Sequence, residues 1–298
     1  MTQDPAGHEP VLMNEVLDLL ALAPGKIVVD CTLGRAGHAL AMAEKIGSGG
    51  TLIGLDADPR NLDFARERLS KSACQVRLFH ANFIDLALVL RECGITRVDA
   101  ILADLGLSTN QLFDERYGLS FSSDMPLDMR IDPRDARSAA HFVNTMREED
   151  LANVLYELAQ ERYSRRIAKK IVEARRISPI TSTERLADLV RGVLPRNKDD
   201  RIDPATRTFL ALRMLVNREV ENTQNLLKQA PGFLKSGGRL AVISFQSTED
   251  RLVKQAFRSA EQTGLLKVIT KKPLSPADSE TSKNPRSRSA KLRVAEKQ

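Results

Sequence analysis

The first part of the chain alternates apolar runs of strand length with stretches of helical period, and most of the runs end in an acid. Lys26–Cys31, Thr51–Asp56, Gln75–His80 and Val98–Asp104 are the four runs. Between them, Ala36–Ile46 reads as a helix stopped by Gly47-Ser-Gly-Gly50. Asp58–Leu69 reads as a second, with Asp58 as its N-cap and Pro59 at its first position. Phe83–Glu92 is a third, and Val11–Leu22 forms a leading helix that ends before Pro24-Gly25. Strands joined by helices through short connections predict an α/β fold with a doubly wound parallel sheet.

That rhythm stops between about Gln111 and Leu215. Ala140–Ala159, Tyr163–Arg176 and Thr183–Leu194 are helical in period, and Asp203-Pro-Ala-Thr206 opens a further helix through Glu221. The strand pattern returns at Arg239–Phe245, after a turn at Ser236-Gly-Gly238, with Leu265–Thr270 and Lys291–Ala295 as two last candidates. Pro273–Arg288, rich in Pro, Ser and charge, reads as a loop. The simplest organisation is a core in two pieces, 1–112 and 216–298, around an all-helical insert at 113–215.

At 298 residues and 42% hydrophobic content, the chain can hold one large domain with an insert. No apolar run approaches the roughly 20 residues that span a bilayer. Met1–His8 lacks the basic and apolar regions of a signal peptide. Cys31, Cys74 and Cys93 and the four histidines have no metal-ligand spacing. A reduced, cytoplasmic protein without a metal and without membrane association is expected. The net charge of +6 is unevenly placed. Lys271–Gln298 sets eight Lys/Arg against three acids, and Arg162–Arg176 sets seven against Glu173 alone. In the latter, Ile167, Ala168, Ile171 and Val172 form an apolar face while Arg162, Arg166 and Lys170 line another. Such patches suit a polyanion, RNA phosphates among them. A solvated helix face and a loose tail account for the same charges, and a last strand at Ala290–Ala295 would make the tail's charge incidental.

The candidate chemistry sits at the strand ends, where open parallel sheets bind nucleoside-like ligands. The turn Gly34-Arg-Ala-Gly37 lets backbone approach a ligand closely. Asp56 closes the second strand, where an acid hydrogen-bonds the ribose of an adenosine group. Asp58 is assigned only the helix cap. The glycines do not match G-x-G-x-x-G, which argues against a nicotinamide dinucleotide and leaves S-adenosylmethionine, a cofactor with a ribose and an adenine but no phosphate. Asp30 either pairs with that cofactor's amino group or shapes the turn. Phe83 either packs on adenine or belongs to the core. Asp104-Leu-Gly-Leu-Ser108 ends the fourth strand at the reaction centre. An exocyclic base amine is a poor nucleophile, because its lone pair is delocalised into the ring. An acceptor holding one N–H draws that nitrogen toward a tetrahedral shape, so positioning and electrostatics dominate. The target base must leave its stack, and Tyr117 and Phe121 are candidates to stack it. The alternatives are a non-enzymatic RNA-binding or assembly factor on the same fold and, more remotely, a dehydrogenase.

At these residues the sequence closely resembles the bacterial small-subunit ribosomal RNA (cytosine-N4) methyltransferases. The matching blocks are His8–Leu12, Asp30–His38, Asp56–Pro59, Asp104–Ser108, Pro126–Arg130, Asp203–Phe209, Ser244–Arg251 and Asn284–Arg293, spread over nearly the whole chain. The resemblance implies a class I S-adenosylmethionine-dependent methyltransferase core, Rossmann-like, with the insert as a substrate-recognition domain. It implies N4-methylation of a decoding-centre cytidine in 16S ribosomal RNA, within the small ribosomal subunit; whether the chain forms a homodimer stays open. By position it implies cofactor contacts at Ala36, Gly37, His38, Asp56, Phe83, Asp104 and Gln111, and catalytic roles for Asp104 and Ser108. The chain departs from the usual pattern at Ala36, commonly glycine, at Thr109-Asn110, commonly serine-proline, and at Gln246, commonly histidine. Gln246 cannot titrate near neutrality.

Overall fold

The computed structural model describes residues 10–194 and 203–298. They form two compact units, one built from the described residues up to Gly106 and from Val220 to Gln298, the other from Leu107 to Glu219.

The first unit opens with α1 (Met13–Leu19), β1 (Ile27–Asp30), α2 (Gly37–Ile46), β2 (Thr51–Asp56), α3 (Pro59–Leu69), β3 (Gln75–His80), α4 (Leu86–Glu92) and β4 (Val98–Asp104). The strands are parallel, and their residues alternate between two cores. Val28, Leu52, Ala100 and Leu102 face a layer with Val16, Met42, Ile46 and Leu62 from α1 to α3. Val29, Ile53, Ile101 and Ala103 face the opposite layer, which includes Leu86, Val89 and Leu90 of α4. Burial on both faces is why β1, β2 and most of β4 read as apolar runs and not as alternating ones, while β3, at the sheet edge, is only partly buried and carries Arg77.

The second unit holds α5 (Thr109–Phe113), α6 (Ala139–Thr145), α7 (Glu148–Ala159), α8 (Ser164–Ile177), α9 (Thr183–Arg191) and α10 (Thr206–Val216). It has its own core, with Val143, Leu155, Ile171, Leu186 and Leu212 at its centre and Leu107 and Leu112 packed against it. The helix expected over Ala140–Ala159 breaks at Met146-Arg147, where both residues are extended. Tyr117 is 5% exposed within this core. Phe121 leans on Phe209 at 4.6 Å between ring centroids. The expectation that Tyr117 stacks a substrate base is therefore corrected, since its ring is buried in this core, while Phe121 is only partly buried against it.

The chain returns to the first unit with α11 (Glu219–Phe233), β5 (Leu234–Ser244), α12 (Ser247–Gln262), β6 (Leu266–Val268), α13 (Asp278–Lys283) and β7 (Lys291–Lys297). The helix expected to run through Glu221 stops at Asn217. That side chain accepts from Ile131 N–H and donates to the carbonyls of Met129 and Arg213. The predicted turn at Ser236-Gly-Gly238 is an irregularity inside the β4–β5 ladder, since Val98 pairs with Leu234 but Ala100 with Arg239. The sheet order is β3-β2-β1-β4-β5-β7-β6, with β7 antiparallel to both neighbours. β7 fulfils the last-strand reading of the tail. Its Arg293 and Lys291 bind Asp250 at 2.7 and 3.3 Å, so those charges serve the fold. α13 lies in the stretch expected to be loop, and its Glu280 carboxylate accepts from Leu12 N–H at 2.9 Å.

Candidate active site

The strand order reverses between β1 and β4, which opens a crevice at their C-terminal ends. Register puts the strand-end acids at this edge: Asp30 pairs across to Gly54 and Leu102, and Asp104 to Ile243. Asp56 ends β2 beside them. Among the described residues no lysine or arginine pairs with Asp30, Asp56 or Asp104.

Burial, opposed by the Thr32 amide and aided by the charge of Asp56, pushes Asp30 up to about 7. Burial, then the charges of Asp30 and Glu249, push Asp104 up to about 8. Asp56 rises to about 6 by burial, despite the hydrogen bonds it accepts. Asp104 Oδ1 is buried and has no hydrogen-bond partner among the described residues. Its amide donates to Thr32 Oγ1 at 2.6 Å, which fixes the strand end against the turn after β1.

The glycine turn is built from inside the protein. Gly34, at φ +52°, donates its amide to Asp56 Oδ2 at 2.7 Å. Asn61 Nδ2 donates to the same oxygen at 3.3 Å, and Asp58 N–H donates to Oδ1 at 2.8 Å. A carboxylate offers about four lone-pair positions, so Asp56 retains one on Oδ1 for a ligand hydroxyl. Asp58 caps α3 through the Arg60 amide, as read from the sequence. Ala36 is the N-cap of α2 at φ 59° and is fully buried. A left-handed conformation costs an L-residue about 1–2 kcal/mol, a cost that glycine would avoid at this position. Gly37 is required by packing: a Cβ there would lie 2.4 Å from Pro10 Cγ.

His38 Nε2 donates to the Val11 carbonyl at 2.9 Å, leaving Nδ1 3.8 Å from Asp104 Oδ2. Pro10, Val11 and Leu12 therefore brace the turn, which accounts for the described part of the first matching block; His8 and Glu9 lie outside the described residues. Phe83 starts a short 3-10 turn capped by Asn82 and is partly buried against the core that faces α4.

Ser108 and Gln111 belong to the second unit and meet each other at the start of α5. Ser108 N–H donates to Gln111 Oε1 at 3.1 Å, and Gln111 is 4% exposed.

Two contributors were not singled out from sequence. Thr32 receives the Asp104 amide, and Glu249, almost fully buried, accepts the amides of Phe245 and Gln246 at 3.1 Å each. Glu249 stands three residues after the N-cap Gln246, the capping-box spacing that could have revealed it.

Uncompensated carboxylates at a strand-end crevice fit a cationic ligand. The unpartnered Asp104 oxygen fits a donor arriving from outside the fold. S-Adenosylmethionine, with a sulfonium, an ammonium and a ribose, matches this set of acceptors.

The model of the MraW methylase family matches residues 5–298. A ribosomal RNA small subunit methyltransferase H of Acidobacterium capsulatum is 45% identical over 296 residues, covering 97% of this chain and 98% of that protein. The protein of the same name from Geotalea uraniireducens is 45% identical over 306 residues, at 97% and 98% coverage. That of Geobacter sulfurreducens is 44% identical over 306 residues, again at 97% and 98%.

Proposed function

The chain belongs to the MraW methylase family, and from that premise we propose that it uses S-adenosylmethionine to methylate the exocyclic N4 of a decoding-centre cytidine in 16S ribosomal RNA. The substrate in this reading is RNA within the small ribosomal subunit, and the place of action is the cytoplasm. Among the described residues, no helix is long and apolar enough to cross a membrane.

The observation that carries the reading is Asp104, with a buried, unpartnered oxygen at the strand-order reversal. Asp104 accepts one N–H of the target amine and concentrates electron density on its nitrogen. Its raised affinity for protons also makes it a competent acceptor once the amine has been alkylated. S-Adenosylmethionine, when bound, supplies an electrophilic methyl group. Asp56 takes a ribose hydroxyl on its remaining lone pair, and Asp30 faces the ammonium. Ala36, Gly37 and His38 shape the turn against which the cofactor lies, and Phe83 offers a ring edge to adenine. Ser108 as a catalytic residue and Gln111 as a cofactor contact rest on the family resemblance of the segment that follows Asp104 in the chain. The helical insert, given from sequence as 113–215, serves substrate recognition.

Radiolabelled methyl transfer to undermethylated small subunits tests this reading. Asp104→Asn keeps the shape and removes the charge, and it is expected to cut transfer by about a hundredfold or more while leaving the fold intact. Near-normal transfer by Asp104→Asn would remove Asp104 from the mechanism. Failure of the wild-type protein to bind S-adenosylmethionine in calorimetry would favour an assembly factor over an enzyme.

A further inference from the structure

In the second unit, the corner where α7 turns into α8 encloses a pocket of about 280 Å³. Asn153, Tyr156, Arg162, Tyr163, Arg165 and Arg166 line most of it. None of these residues takes part in the strand-end site. The chain has three tyrosines and no tryptophan, and two of the three tyrosines are here. Tyr156 is 61% exposed, so its ring is open to a ligand at the pocket wall. Tyr163 is half-buried, with the Arg166 guanidinium 5.7 Å from its ring centroid. Arg162, Arg165 and Arg166 are all exposed. Of the nearby acids, Glu161 is turned inward, 3% exposed, with its carboxylate accepting Tyr163 N–H at 2.9 Å. Glu157 lies on the exposed side of α7.

Size and chemistry together select the ligand. Pockets for drug-sized ligands and cofactors begin at about 300 Å³, so this one suits a single planar group. An open aromatic ring beside clustered arginines is the combination that holds single-stranded nucleic acid, with the ring stacking a base and the guanidiniums taking phosphates. We propose that the α7–α8 corner is a nucleotide subsite for one unstacked base of single-stranded RNA, stacked on Tyr156, with Arg162, Arg165 and Arg166 on the flanking phosphodiesters. The inference rests on the reading that the substrate is RNA.

The test uses the full chain without cofactor and a short fluorescein-labelled pyrimidine oligoribonucleotide, followed by anisotropy across a salt series. Tyr156→Ala is expected to weaken binding about five- to hundredfold, and Tyr156→Phe, which keeps the ring, to bind as the parent does. Arg165→Gln combined with Arg166→Gln should flatten the dependence of log affinity on log salt by about 0.7 per arginine. In methyl transfer, Tyr156→Ala should raise KM for the RNA substrate at unchanged kcat. Parental affinity in Tyr156→Ala, or an unchanged salt slope in the arginine pair, would overturn the proposal. If the wild-type protein transfers methyl groups and Tyr156→Ala leaves KM unaltered, the subsite falls while the enzymatic reading stands. If the binding losses appear but the wild-type protein methylates no RNA, the subsite stands and the enzymatic reading falls.

Discussion

Asp104 is partly buried, Asp30 and Asp56 are buried, and among the described residues no lysine or arginine pairs with them. Their values in the folded protein, about 8, 7 and 6, lie above the roughly 3.9 of an unfolded chain. The folded state therefore binds more protons, and the ligand-free protein should lose stability as pH rises from about 4 toward 8. A cationic cofactor favours the ionised acids, so its binding should expel protons and its affinity should climb over the window from about 6 to about 8. Calorimetry of S-adenosylmethionine binding in buffers of different ionisation enthalpy checks this. A binding enthalpy that does not change with the buffer would contradict the electrostatic account. The acids themselves were legible in the sequence, because each ends an apolar run. The double use of Asp56 was not: its bond to the Gly34 amide joins residues 22 apart. For that reason Asp56→Ala would unpin the turn as well as remove a ribose contact, and Asp104 is the cleaner probe.

Among the elements, β2, β3 and β4 were readable to the residue; β2 and most of β4 are buried on both faces and so read as apolar runs, whereas the edge strand β3 carries Arg77 and is only partly buried. What escaped the pattern depended on side-chain hydrogen bonds that periodicity does not register. The Asn217 bonds that stop α10 and the Glu280–Leu12 bond that ties α13 to α1 are of this kind. The pairing of two distant sequence blocks is also invisible locally. Arg293 of β7 reaches Asp250 of α12 at 2.7 Å, with both residues buried. Burial works against the Asp250 charge, but Arg293 and Lys291 outweigh it and hold the carboxyl below its usual range. Removing Arg293 leaves Asp250 only the partly exposed Lys291 at 3.3 Å, so Arg293→Met should cost about 1.5–3 kcal/mol in denaturant unfolding. Replacing both residues with apolar ones should recover much of that. A loss below about 1 kcal/mol for Arg293→Met would mean that water reaches Asp250 in the variant.

At the scale of the whole molecule, the two units divide the chemistry. The sheet unit gathers acids at one edge, while the helical unit displays cations along α8, where Arg165, Arg166, Lys169, Lys170 and Arg176 are exposed. A net charge of +6 therefore coexists with an edge of clustered carboxyl groups. The sequence disclosed this split because the basic run and the acid-ended runs are far apart along the chain. The central claim is that this protein places a methyl group on a cytidine amine through Asp104. Nucleoside mass spectrometry of small-subunit ribosomal RNA, from cells with and without the protein, tests it most directly. The account predicts one N4-methylated cytidine that disappears without the protein, returns with the wild-type chain and does not return with Asp104→Asn. Undiminished N4-methylcytidine in cells lacking the protein, or its full return with Asp104→Asn, would contradict it.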